Sequence, residues 1–179
     1  MGFQDAVKTC FRKYATFSGR ASRPEYWWFI LFLFIAHLIL GVFDNILFGT
    51  GSVETASTED GVSFSAERNG PLAAIFGLAT ILPTIAAGWR RMHDTGRSGL
   101  YLFYPLIVVA GLGMFASFMG LSFDTVLNGE LNGLLSLIFG LSVIVLAISP
   151  LLVTWWLTRP SQKGTNGYGA DPRVELRRT

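Results

Sequence analysis

Four long apolar blocks, separated by polar segments, dominate the chain. They cover residues 26–48, 72–89, 100–121 and 134–157. A helix rises about 1.5 Å per residue, so about 20 apolar residues cross the hydrocarbon core of a bilayer. Each block therefore predicts one transmembrane helix. We expect an all-α integral membrane protein, folded as a four-helix bundle.

The segment before the first block, residues 1–25, predicts a short amphipathic helix. Phe3, Val7, Cys10 and Tyr14 recur at three- and four-residue spacing, with basic and polar residues elsewhere on its surface. Such a helix could lie in the membrane interface or pack on the ends of the spans. No cleavable signal peptide is evident, because the first apolar run is already a full span.

The composition supports a membrane protein and limits its chemistry. Charged residues make up 15% of the chain, against about 25% in ordinary soluble domains. The single cysteine, Cys10, excludes an intrachain disulfide and a CxxC motif. His37 and His93 are the only histidines, too few and too distant for a histidine-rich metal site. We therefore predict no metal and no cofactor.

The distribution of basic residues predicts the direction of the spans. Segments 1–25, 90–99 and 158–179 hold thirteen of the fourteen lysines and arginines, whereas the loops 49–71 and 122–133 hold only Arg68. Basic residues resist translocation, so both termini and the loop 90–99 are predicted to be cytoplasmic, and 49–71 is predicted to be an external acidic loop. Five tryptophans lie at the predicted cytoplasmic ends of the spans: Trp27, Trp28, Trp89, Trp155 and Trp156.

The three basic segments contain polar, glycine-punctuated motifs. Residues 19–27 match GRxxRxEYW, residues 90–99 match RRxHDxGRSG, and residues 166–172 match NxYGxDP. Together and in this order, the motifs resemble the bacterial inner-membrane family of domain of unknown function 805 (DUF805), over about residues 10–172. The resemblance implies a four-span inner-membrane protein and no particular activity.

These motifs supply the candidate site, for which two interpretations stay open. In one, arginines and Asp94 form a pocket for an anionic group such as a phosphate. In the other, they set topology and form ion pairs that staple three segments together, with Asp94 one helical turn beyond a partner, Arg90. Tyr168 and Asp171 could dock on the arginine loop. The candidate binding residues are Arg20, Arg23, Arg90, Arg97, Asp94, His93, Asn166, Tyr168 and Asp171.

Two histidines invite sharper hypotheses. His93-Asp94 is reminiscent of metal phosphohydrolases, but such sites need further histidine and aspartate ligands, and the only other histidine, His37, lies mid-membrane. His37 lies near the middle of the first span, where ionisable residues are often functional. It could be a proton relay, or a structural histidine bonded to a carbonyl freed near a proline kink.

Local sequence signals also predict where the spans start and bend. Ser22-Arg23-Pro24-Glu25 matches a capping box, so the first span is predicted to start near Arg23. Pro83, Pro105 and Pro150 lie inside apolar blocks and are expected to kink them. The carbonyls that they free need other donors, for which Thr84 and Ser149 are candidates.

Three functions are compatible with the sequence. The first is a non-enzymatic module that binds a partner protein or anionic lipid at its cytoplasmic face, as a monomer or homo-oligomer. The second is a small oligomeric transporter or channel, and the third an interfacial enzyme acting on a phosphorylated or lipid substrate. We name no catalytic residue, because no nucleophile–base arrangement or phosphate-cradling glycine motif is present. Nucleic-acid binding is not expected, since topology already explains the basic residues.

Overall fold

The computed structural model describes residues 1–49, 55–58, 61–64, 70–120 and 133–175. Within them the order of elements is α1, α2, β1, β2, α3, a 3-10 helix, α4, α5 and α6. Their bounds are, in that order, Phe3–Arg12, Arg23–Phe48, Thr55–Thr58, Gly61–Phe64, Pro71–Asp94, Gly99–Phe103, Tyr104–Phe118, Gly133–Thr158 and Pro172–Glu175.

Four helical stretches are long and apolar enough to cross a membrane: Arg23–Phe48, Pro71–Asp94, Gly99–Phe118 and Gly133–Thr158. The predicted all-α class with four apolar helices and an N-terminal helix is thus confirmed. Helix α3 continues to Asp94, beyond the predicted span 72–89. A helix can extend past the bilayer, so the predicted span boundaries stay predictions.

A small antiparallel hairpin, β1–β2, lies between α2 and α3, with Thr55 opposite Phe64 and Thr58 opposite Gly61. The sequence predicted only a loop here. Threonine, valine and phenylalanine favour extended backbone, so the two short strands agree with local propensity. Residues 50–54, 59–60 and 65–69 of the predicted loop 49–71, residues 122–132 of the predicted loop 122–133, and Arg177 and Arg178 lie outside the described residues.

The chain divides into two units, and the first comprises Met1–Thr16 and Pro24–Ala87. Helix α1 packs on α2 through aromatic contacts: the ring centroids of Phe3 and Trp28 are 5.9 Å apart, and those of Phe11 and Phe29 are 5.6 Å apart. Ala6 and Cys10 of α1 are fully buried. Helix α1 therefore packs on the beginning of α2.

Pro83 leaves one carbonyl of α3 without its helical donor, because proline has no amide hydrogen for the residue four positions earlier. That residue is Ala79, and its carbonyl accepts a hydrogen bond from the Tyr14 hydroxyl. Thr84, the partner suggested by the sequence, donates to the Thr80 carbonyl instead, at 2.6 Å. A residue distant in sequence, Tyr14, therefore supplies the hydrogen bond that a neighbour in the helix was expected to supply.

The other two prolines differ from each other. Pro150 frees the Leu146 carbonyl, and Ser149 donates to it at 2.8 Å, as predicted. Pro105 was expected to kink the third span, but α4 begins at Tyr104, so Pro105 lies in the first helical turn. A proline there sacrifices no hydrogen bond.

His37 makes a local bond within α2. Its Nδ1 lies 2.8 Å from the Leu33 carbonyl oxygen, so Nδ1 carries the hydrogen and donates. The ring also meets Phe76 of α3 edge to face, at 5.0 Å between centroids. This is the structural role considered above, except that no proline frees the carbonyl concerned.

The beginning of α3 is capped by a residue of α2. The buried Asp44 carboxylate accepts hydrogen bonds from the amides of Leu72 and Ala73, at 3.0 and 2.8 Å. A carboxylate at a helix N-terminus satisfies orphan amides and complements the helix dipole. Gly70 lies against it: a β-carbon at that position would be 2.1 Å from the Asp44 β-carbon.

The second unit comprises Phe17–Arg23 and Gly88–Thr179. Its helices α4 and α5 pack on each other, with Phe115 and Phe139 in contact at 6.0 Å between ring centroids. At the end of α5, Trp156 contacts Tyr101 and Tyr104. The three motif segments all belong to this unit.

We predict that Asp44→Ala lowers the unfolding free energy by about 1–2 kcal/mol, the usual cost of losing a helix cap. Gly70→Ala should also destabilise, because its methyl group must displace Asp44. Thermal unfolding of detergent-solubilised protein, followed by tryptophan fluorescence, measures both. Gly41→Ala is the control, since nothing lies within 4 Å of a β-carbon there. Equal stability of all three variants would contradict the cap.

Candidate functional site

All nine candidate residues fall in the second unit, where residues 17–23, the end of α3 and the tail after α5 meet. The centre of this site is the Asp94 carboxylate, which is fully buried. Oδ1 lies 3.0 Å from both Nε and Nη2 of Arg20. Oδ2 accepts from Nη1 of Arg91. We call Arg20, Arg91 and Asp94 the arginine cluster.

The partners of Asp94 differ from the one expected. The sequence suggested Arg90, four residues earlier, whereas the structure pairs Asp94 with Arg91, three residues earlier, and with Arg20, 74 residues away. Spacings of three and four residues both place side chains on one helix face, so periodicity alone could not choose between them. Arg90 is also fully buried.

The guanidinium group of Arg20 also binds the tail. Besides the Asp94 carboxylate, it donates to the carbonyl oxygens of Gly164, Gly169 and Gln162. An arginine has five N–H donors, and these contacts direct Nε, Nη1 and Nη2 at protein oxygens. Arg20 therefore has little capacity left for an external anion.

Arg91 and Arg23 serve the C-terminal end of α5. Arg91 donates from Nε to the Leu157 carbonyl at 3.0 Å, and from Nη2 to the Arg159 carbonyl. Arg23 donates to the Thr158 carbonyl. The last carbonyls of a helix lack intrahelical donors and carry partial negative charge, so guanidinium groups satisfy them well.

Carbonyl groups at the end of α3 also accept hydrogen bonds, from residues 17–23 and from the tail after α5. The Ala21 amide donates to the Arg90 carbonyl at 3.0 Å. The Asp94 carbonyl accepts from the Gln162 amide at 2.9 Å, and the His93 carbonyl accepts from Nδ2 of Asn166 at 3.0 Å. Three carbonyls at the end of α3 thus fix both the N-terminal segment and the tail to this helix.

The tail forms a tight turn against His93. Asn166 and Gly169 exchange backbone hydrogen bonds, both at 3.1 Å. The rings of His93 and Tyr168 stack, with centroids 3.9 Å apart and planes 8° apart. Nδ1 of His93 donates to the Gly19 carbonyl at 3.1 Å. Asp171 is buried and accepts from the Gly164 amide at 3.2 Å.

Gly96 and Gly164 have backbone conformations that favour glycine. Both have positive φ angles, 77° and 74°, which side chains with a β-carbon rarely adopt. A β-carbon on Gly96 would also lie 2.7 Å from Oε1 of Gln162.

Arg97 lies at the edge of the site, outside the ion-pair network. Its guanidinium carbon is 5.3 Å from the ring centroid of Trp156, and Nη1 donates a long hydrogen bond of 3.3 Å to the Thr95 carbonyl. Arg159 lies over the neighbouring Trp155, at 4.7 Å. We call Arg97, Trp156, Arg159 and Trp155 the arginine–tryptophan rim.

Sequence reasoning missed Arg91, Arg159 and Gln162 as members of this site. A signal was present for Arg159, which follows Trp155 by four residues and so lies on the same helix face. The Gln162 contacts run mostly through its backbone, which no residue pattern reveals. In the part of the chain that the structure describes, no group of three or more His, Cys, Asp or Glu side chains could hold a metal ion.

Comparison with known proteins decides the family. The model for the family described as "Protein of unknown function (DUF805)" matches residues 14–170. The chain belongs to this family. The DUF805 match spans all three motifs up to Ala170, so it contains the arginine cluster and most of the tail turn.

Curated relatives of this DUF805 protein are similar over about half of its length. Inner membrane protein YhaH of Escherichia coli (strain K12) is 36% identical over 100 residues, which cover 56% of this chain and 71% of YhaH. Inner membrane protein YhaI of the same strain is 37% identical over 99 residues, which cover 54% of this chain and 69% of YhaI. No solved structure matches the chain. With its four apolar helices, this DUF805 protein is a multi-pass membrane protein.

We predict that Asp94→Asn in this DUF805 protein lowers the unfolding free energy by about 3–5 kcal/mol, because two buried guanidinium groups lose their counter-charge. Chemical denaturation in detergent, followed by tryptophan fluorescence, measures the loss. Lys163→Gln also removes one charge, at an exposed tail position, and should leave stability almost unchanged. Similar small effects from both substitutions would show that Asp94 is not the centre of the site.

Proposed function

We propose that the protein is a non-enzymatic membrane module that binds a partner protein or an anionic lipid at its cytoplasmic face. The observation that carries this proposal is that the guanidinium N–H groups of the arginine cluster bond the protein itself. Arg20 and Arg91 are aimed at one carboxylate and at backbone carbonyls, so they hold a loop and a tail in fixed positions. Such a device presents a surface and leaves no group to attack or activate a substrate.

The chemistry of the buried groups supports a scaffold over an enzyme. Both carboxylate oxygens of Asp94 accept hydrogen bonds from arginines and are buried, so neither is open to a substrate. Nδ1 of His93 is bonded to a carbonyl, and its ring face is covered by Tyr168. A general base needs an accessible nitrogen within hydrogen-bond reach of a substrate.

The surface around this scaffold is accessible. Lys163 and Arg159 are exposed, and Tyr168 keeps 36% of its surface exposed although one face of its ring stacks on His93. Exposed cations and aromatic rings on an ordered backbone are suited to binding a protein surface or lipid headgroups.

We further propose that the protein lies in the inner membrane with both termini in the cytoplasm. Relatives are inner membrane proteins, and the basic residues favour a cytoplasmic position for both termini and the loop 90–99. The arginine cluster would then lie at the cytoplasmic ends of α3 and α5, within reach of soluble proteins and of the inner leaflet.

A transporter receives less support. Of the ionisable groups inside the spans, His37 donates to a carbonyl of its own helix, and Asp44 caps α3. Both groups therefore have structural roles that account for their positions. An enzyme would need an activated nucleophile, and the arginine cluster supplies none.

Site-specific photo-crosslinking in native membranes tests the proposal. A photoreactive residue at position 163, in the exposed tail, should give one discrete adduct with a protein or a lipid. The same residue at position 118, at the far end of α4, where Phe118 is 83% exposed, should give only diffuse labelling of bulk lipid. Diffuse labelling from both positions would count against a binding surface at the tail.

A further inference from the structure

The rim places two guanidinium groups above consecutive tryptophans of one helix end. Arg97 lies over Trp156 at 5.3 Å, and Arg159 lies over Trp155 at 4.7 Å. Consecutive helical residues point about 100° apart, so the two arginines are on adjacent sides of α5. Each ring attracts its arginine by a cation–π contact, which supplies no hydrogen-bond acceptor to the guanidinium N–H groups.

The donors of the rim are used very differently from those of the cluster. Arg20 directs its donors at four protein groups, whereas Arg97 makes one long hydrogen bond of 3.3 Å within its own loop. Arg159 is exposed, and within the described residues no hydrogen bond from its guanidinium is found. Preorganised, positively charged donors that face outward are the chemistry that binds phosphate oxygens.

The local electrostatics permit an anion at this end of α5. The C-terminus of a helix normally repels anions. Here Arg91 and Arg23 already cover the carbonyls of Leu157, Thr158 and Arg159. The carboxylate of Asp94 is buried between guanidinium groups, so it is shielded from the surface.

The position along the helix indicates where the anion comes from. Trp155 and Trp156 end an apolar helix that is long enough to span a bilayer, and tryptophan at such a position prefers the headgroup layer. An arginine held over the ring then lies at the depth of lipid phosphates. A free phosphate from solution would present the same oxygens to the same donors.

We propose that Arg97 and Arg159, held over Trp156 and Trp155, form a site for phosphate groups, occupied by the headgroups of anionic phospholipids. This inference rests on the proposed function and names the ligand of that surface. In this view the arginine cluster stabilises the fold, and the arginine–tryptophan rim binds the lipid.

Native mass spectrometry of the full-length protein tests the site. Wild type and Arg97→Gln/Arg159→Gln are released from detergent after incubation with phosphatidylglycerol, with phosphatidylethanolamine, or with inorganic phosphate. Wild type should retain phosphatidylglycerol over phosphatidylethanolamine. The double variant should retain about 25-fold less, on the basis of about fivefold per surface arginine.

Lys8→Gln/Arg12→Gln is the matched control, because it removes the same charge from exposed positions of α1 on the same predicted side. It should change lipid retention less than twofold. Arg97→Lys/Arg159→Lys keeps the charge but loses the planar fork, so it should give an intermediate loss. This variant also serves if the glutamine variant fails to fold.

The outcomes separate the sources and the hypotheses. Arginine-dependent retention of phosphatidylglycerol supports a lipid headgroup site, and arginine-dependent retention of inorganic phosphate supports the same site with a soluble ligand. Equal retention by the rim variant, the α1 control and wild type overturns the inference. If that result accompanies a discrete protein adduct from position 163, the proposed function stands and only its lipid ligand is wrong.

Discussion

The structure depends on one buried carboxylate shared by two arginines. An ionised Asp94 without partners would be very costly to bury, and so would either guanidinium group alone. Arg91 is three residues from Asp94, but Arg20 comes from a different segment. The Arg20–Asp94 pair therefore joins the N-terminal segment to the end of α3. Arg20 also holds the tail, because its other donors bond the carbonyls of Gln162, Gly164 and Gly169.

The same three segments also supply hydrogen-bond donors to the ends of the helices. Helices α3 and α5 each end with carbonyls that need donors. The Ala21 and Gln162 amides serve α3, and Arg91 and Arg23 serve α5. Positive charge near a helix C-terminus is also favoured by the helix dipole. A pattern of arginines that predicts topology thus also fixes local structure, so basic residues at a membrane end need not mean a ligand pocket.

The features that could be predicted from the sequence depend on composition over many residues. The four apolar helices follow from block length, and helix α2 begins at Arg23, as the Ser22-Arg23-Pro24-Glu25 sequence indicated. The hydrogen bond from Ser149 to the carbonyl freed by Pro150 was also predictable, because its partners are three residues apart. The motifs also identified the segments that form the site.

The features that could not be predicted depend on contacts between distant residues. The Arg20–Asp94 pair, the Tyr14 bond to Ala79 and the Asp44 cap of α3 each join different elements. Periodicity describes one helix at a time, so it offered Arg90 as the partner of Asp94 and Thr84 as the neighbour of a freed carbonyl. The same holds for the role of each arginine. The sequence does not distinguish Arg20 and Arg91, which donate to protein oxygens, from the arginines of the rim, but the geometry does.

Hydrogen exchange of the tail tests most directly whether Arg20 and Asp94 hold the three segments together. In Arg20→Gln, the amides of Gln162, Gly164 and Gly169 should exchange about tenfold faster than in wild type, because the charged hydrogen bonds that fix the tail are lost. Protection in α4 and α5 should be unchanged, and Arg159→Gln should behave like wild type. Undiminished protection of the tail in Arg20→Gln would contradict the account, because the tail would then be held by other contacts.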